Sequence, residues 1–112
     1  MLPHSATAVI ARNETWTGKS ASEPYECGWA REAIVFLRAL DAPRRIGRTR
    51  ARIEISPDGL RWVPSGAGFA MPTRRDQVVF APVAHFGNWL RVAVDMPRGA
   101  SAKVLVTIHL KA

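Results

Sequence analysis

The sequence predicts an all-β fold, an antiparallel β-sandwich or jelly roll of about seven or eight strands. Three observations predict it. Apolar and polar residues alternate with a period of two in several short runs, Gly- and Pro-marked turns separate those runs, and little of the chain reads as helix. The clearest run is RTRARIEISPDGLRWV, residues 48–63. Thr49, Ala51, Ile53 and Ile55 alternate there with Arg48, Arg50, Arg52 and Glu54, giving one apolar and one charged face. Ser56-Pro57-Asp58-Gly59 supplies a turn in which Gly is free to take positive φ, and Leu60 to Val63 begin the return strand.

The other elements follow in chain order. Residues 5–12, SATAVIAR, form a short first strand at an edge. Residues 13–28, NETWTGKSASEPYECG, are polar and broken by Gly, Ser and Pro, so they read as a long loop carrying Trp16 and Tyr25. Residues 29–40, WAREAIVFLRAL, have a composition that also admits helix. Ile34-Val35-Phe36-Leu37 favours a strand buried on both faces, and strand is the reading adopted. Gly66-Ala67-Gly68 and Pro72 mark loops around an extended piece near Phe69. Residues 77–84, QVVFAPVA, form a strand that Pro82 places at an edge or a bulge. In the last two strands, Leu90, Val92 and Val94 share one face, as do Val104, Val106, Ile108 and Leu110. The pattern D-x-P-R recurs at Asp41–Arg44 and Asp95–Arg98, each a strand-to-strand corner.

Size and composition bound the function. The 112 residues fit one domain, residues 1–112, and 47% hydrophobic content supplies a core without metal or disulfide. Cys27 is the sole cysteine and reads as a small buried hydrophobe. No apolar run approaches the roughly 18 residues that cross a membrane, so no membrane partner is expected. The opening MLPHSATAVIARNE lacks a basic segment followed by an apolar one, and no cleaved signal peptide is expected.

The net charge of +7 comes from thirteen Arg and three Lys against nine acidic residues. A cationic surface of this kind meets nucleic acid, acidic polysaccharide or an acidic protein. Arg44, Arg45, Arg48, Arg50 and Arg52 cluster within nine positions, although Arg48, Arg50 and Arg52 fall on the polar side of a strand, where a solvated face is expected. Nucleic acid ranks last among the partners, because Lys is scarce and the basic positions are not interleaved with aromatics.

No catalytic constellation is present. His4, His85 and His109 lack metal-ligand spacing, and Asp41, Asp58, Asp76 and Asp95 all fall at turns or strand ends. There is no nucleophile elbow, P-loop or dinucleotide fingerprint. The expectation is a non-enzyme with no catalytic, cofactor-binding or metal-binding residues. The aromatic side chains are the other instrument. Trp29 and Trp89 read as core, Trp62 as a cap on the core or a stacking surface, and Trp16 and Tyr25 as contact residues.

Ser56, Asp58, Gly59 and Trp62, followed by Trp89, Leu90, Arg91 and Val92, resemble the S-x-D-G-x-x-W hairpin and later aromatic-x-R-hydrophobic strand of discoidin-type, galactose-binding-like domains. The resemblance covers about half the chain, which is shorter than that family and lacks its early strands. It implies a β-sandwich and does not carry sugar or calcium binding across. In general character the chain is also similar to jelly-roll accessory proteins of phage particles.

Together these readings give the expected role: a non-enzymatic structural component of a homo-oligomeric assembly, with a phage virion as its setting and no cofactor. Capsid decoration, tail or fibre are the places such a component occupies, after assembly in the cytoplasm. The candidate contact residues are Trp16, Tyr25, Arg44, Arg45, Arg48 and Trp62. The alternative is a carbohydrate-binding module of discoidin-like type that stacks sugars on exposed aromatics.

Overall fold

The computed structural model describes residues 4–112 as an all-β sandwich with no helix. The leader expectation, read in part from residues 1–3, lies outside the described residues. Nine strands are present: β1 (Ser5–Trp16), β2 (Lys19–Ala21), β3 (Tyr25–Glu26), β4 (Glu32–Ala39), β5 (Arg50–Ser56), β6 (Val63–Ala70), β7 (Val78–Ala84), β8 (Trp89–Asp95) and β9 (Ala102–Lys111). They form a four-stranded sheet, β1-β9-β4-β7, and a five-stranded sheet, β2-β8-β5-β6, with β3 also paired to β8. All pairings are antiparallel, and they nest as β5 with β6, β4 with β7, β2 with β8 and β1 with β9. That nesting is jelly-roll wrapping.

The core lies between the sheets. Val104, Val106, Ile108 and Leu110 of β9 are fully buried, as are Val35 and Leu37 of β4, and Ile53, Leu90, Val92 and Val94 face them from β5 and β8. Each such side chain contributes about 1.5–3 kcal/mol of burial. Cys27 sits in this layer, and burial, reinforced by the charge of Glu26, pushes its thiol up to about 11.

Segment 29–40 resolves as a strand, but one apolar face is outward. Ala33, Val35, Leu37 and Ala39 are buried while Ile34 is 38% exposed, so the expectation of burial on both faces is corrected. The long loop at 13–28 is also corrected. β1 runs on to Trp16, and β2 and β3 lie within the remainder of that segment. The register of β1 against β9 shifts twice, between Val9 and Ala11 and between Ala11 and Glu14, and Asn13 takes a left-handed φ of 52°. These bulges bury Ile10 and Ala11 together and turn Trp16 inward. Gly66 and Gly68 are likewise strand residues of β6 rather than loop. The β5–β6 register shifts after Arg52, and Ser65 Oγ donates to the Ile53 carbonyl at 2.7 Å across the irregular stretch.

The hairpin turn forms as expected, although β6 begins at Val63, the last residue of the expected return segment. Ser56 Oγ accepts from the amides of Asp58 and Gly59, and Asp58 Oδ1 accepts from those of Leu60 and Arg61. Gly59 has φ of 77° over the Trp89 ring. The two D-x-P-R corners follow β4 and β8, and Arg44, at the end of the first, pairs with Ser101 just beyond the second. As expected, β1 and β7 are edge strands, with Pro82 on the latter.

A Cβ at Gly68 would run into the Ala51 carbonyl oxygen, so Gly68→Ala is expected to lower stability by about 1–3 kcal/mol, read as a reduced urea midpoint. Cys27 should resist an aromatic disulfide reagent at pH 8 and react once the chain is denatured, which a colorimetric thiol assay measures directly.

Candidate interaction surfaces

The outer side of the five-stranded sheet is organised around one carboxylate. Glu54 of β5 pairs across the ladder with Arg91 of β8 and is 5% exposed. Arg91 Nε and Nη2 each reach Glu54 Oε1 at 2.8 Å, and Arg52 Nε donates to Oε2 at 2.8 Å. Arg52 Nη1 also meets Asp95 Oδ2 at 3.2 Å, and the Arg91 guanidinium lies over the Trp62 ring, 4.4 Å from its centroid. Burial alone would raise the Glu54 pKa. The hydrogen bonds and charges of Arg52 and Arg91 outweigh it and hold the carboxyl below its ordinary value. Chemically this is a carboxylate whose charge is balanced by two guanidiniums. Asp58, in the nearby turn, is drawn down to about 2 by the amides of Arg61 and Leu60, with Arg61 and Ser56 side chains adding to the effect.

Beside this cluster lies a basic groove of about 610 Å3, lined by Arg45, Arg48, Arg50, Arg52 and Asp95. The loop before β5 shapes it. Arg45 and Gly47 take φ of 54° and 57°, and Thr49 returns both its amide and its hydroxyl to the Ile46 carbonyl. The Arg45 side chain lies over Gly99, whose missing Cβ leaves it room. Arg44 departs from the expected cluster. It lines a separate hollow of about 430 Å3 with Thr15, Asp41 and Lys103.

The outer side of the four-stranded sheet is different in kind. Phe80 is 58% exposed, Val78 52% and Val9 40%, and Phe36 lies 5.9 Å from Phe80 and 4.9 Å from His109 between ring centroids. None of these residues figured among the sequence candidates. The signal was present in QVVFAPVA, where both alternating positions are apolar.

The candidate residues are therefore not one site. Arg45 and Arg48 share the basic groove, Arg44 lines its own hollow, and Trp62 lies half-buried under Arg91. Trp16 is buried and donates Nε1 to Glu14 at 3.1 Å, which corrects its reading as an exposed contact. Tyr25 is half-buried in β3, packed against the core. Trp29, expected in the core, is 42% exposed and meets His4 edge-on at 4.4 Å, while Trp89 is half-buried beneath Gly59.

Glu54 carries a pH signature. Its folded pKa lies below its unfolded value, so its stabilisation is complete above about 4.5 and is lost as pH falls through the folded value. Glu54→Gln should cost roughly 2–3 kcal/mol at neutral pH, because two guanidiniums lose their counter-charge. The gap to the parent protein should narrow in acid. Urea midpoints of both proteins at neutral pH and near pH 3 provide the check.

No family model matches the chain, and no curated protein is similar to it in sequence. The discoidin-type resemblance gains no support from these comparisons, and the residues that carried it are accounted for by turn geometry and packing. Among solved structures, the chain is similar to the SPBc2 prophage-derived protein YomS, with a TM-score of 0.67, 11% identity, and coverage of 100% of this chain and 96% of that one. At that identity the likeness is one of fold, and it spans the jelly-roll sandwich from end to end.

Proposed function

We propose that the chain is a non-enzymatic structural component of a phage-related particle, working through contacts between its own copies and with other particle proteins. The observation that carries this reading is the end-to-end fold likeness to a prophage-derived protein. The surface chemistry is in keeping with it. The groove at Arg45, Arg48 and Arg50 presents planar guanidiniums suited to bidentate bonds with carboxylates of a neighbouring subunit. The glycan-binding alternative loses its principal residues, since Trp16 is buried and one face of Trp62 is covered by Arg91.

The particle itself is the test. Virions from a culture that expresses the chain, purified on a density gradient, should contain it in a fixed ratio to the major coat protein by quantitative mass spectrometry. Its absence from infectious particles would overturn the proposal. Arg45→Glu combined with Arg48→Glu should lower incorporation severalfold while leaving the thermal melt of the free protein unchanged. Undiminished incorporation would remove the basic groove from the contact surface.

A further inference from the structure

Register fixes what the outer side of the four-stranded sheet presents. Read across strands from β1 to β7, one row is Ser5, Lys111, Glu32 and Ala84, and the next is Thr7, His109, Ile34 and Pro82. The third row is Val9, Thr107, Phe36 and Phe80, and the fourth holds Leu105, Arg38 and Val78. The two middle rows contain no carboxylate or ammonium group. Among the paired positions of all four rows, the charged side chains are Glu32, Arg38 and Lys111, so this side carries little of the net charge of +7. An exposed apolar sheet face of this extent marks an interaction surface.

We infer that this face packs on the same face of a second copy, about a two-fold axis lying in the interface and perpendicular to the strands. The inference rests on the homo-oligomeric reading above and names its contact. Such an axis between the two middle rows sets each strand antiparallel over its own copy. Ile34 then meets Phe36 of the second copy, Pro82 meets its Phe80, and Glu32 meets its Arg38.

Three features select this occupant. The first is charge. Glu32 and Arg38 are exposed at opposite ends of β4, and neither takes part in an ion pair among the described residues. The axis brings each to the other's counterpart, making two symmetric pairs. The second is shape. A hollow of about 350 Å3 lies between β4 and β7, lined by Glu32, Ile34, Pro82 and Ala84, and the axis places the protruding Phe80 of the second copy over it. The third is area. Strands about 4.8 Å apart and rows about 6.8 Å apart give a face of roughly 500 Å2 per copy. Two copies bury on the order of 1,000 Å2, the lower end for a specific interface, so association is concentration-dependent. Edge-to-edge growth is disfavoured by comparison, because β7 carries Pro82 and β1 is bulged twice.

Sedimentation equilibrium of the full chain from the micromolar to the millimolar range tests this. The parent protein should show a reversible monomer–dimer equilibrium. Glu32→Arg and Arg38→Glu should each weaken it roughly tenfold or more by setting like charges together, and the double variant should return it to within about threefold of the parent. Phe80→Glu should leave a monomer with an unaltered circular dichroism spectrum, since Phe80 is exposed. A dimer indifferent to all four variants would overturn this interface and leave the particle proposal intact. A parent protein monomeric at every concentration would overturn the inference, while virion fractionation separately decides the particle reading.

Discussion

Two layers of sheet bury only the sides that face each other, and the character of this protein lies in how the two outward sides are finished. The inner layer is the easier problem. β9 supplies Val104, Val106, Ile108 and Leu110 without interruption, and the central strands β4, β5 and β8 answer with aliphatic side chains at every second position. The outward positions must then satisfy water or another surface. The five-stranded sheet does so with guanidiniums and carboxylates, whereas the four-stranded sheet presents Phe, Ile, Val and Pro.

On the charged side, Glu54 sits at an outward position and yet is nearly inaccessible. Covering it takes Arg52 from its own strand, Arg91 from the neighbouring strand and, over Arg91, the ring of Trp62. A buried carboxylate between two guanidiniums gains little net stability over an apolar replacement of equal volume, but removing one partner is costly. The cluster therefore ties β5, β8 and the residue before β6 to one register. It also leaves Arg45, Arg48 and Arg50 as the cations of the groove not drawn into the Glu54 cluster.

The same contrast explains which parts of the molecule are legible in the sequence. β8 and β9 follow directly from a two-residue period, because their apolar positions are unbroken and their turns carry Pro and Gly. β1 and β6 do not. Asn13, Gly66 and Gly68 are turn-forming residues by type, and here they lie within bulged strands, β1 paired to the far end of the chain and β6 to its hairpin neighbour β5. The burial of Trp16 follows from those bulges, so a reading that ends the strand at Arg12 places the indole in solvent. Glu54 depends on a partner 37 residues away. Ile34 and Phe36 alternate with Val35 and Leu37, and a run apolar at every position is the signature of a strand covered on both faces. The structure supplies one cover, the second sheet, and leaves the other side open.

That open side and the sheet edges divide the task of controlling association. Pro82 lacks an amide hydrogen and lies on β7, so the strand at the boundary of the sheet is a poor template for another strand. The side chains of the same strand, Val78 and Phe80, project into the exposed apolar surface. Backbone pairing would let copies add without limit and in slipped registers. On the proposed two-fold axis, side-chain packing closes after two copies, and opposite charges at its ends specify the direction. With most of the net charge of +7 placed elsewhere, repulsion between copies is weakest where the apolar rows meet. On that proposal, a small cationic domain remains dispersed through its other surfaces and still carries one face that recognises itself.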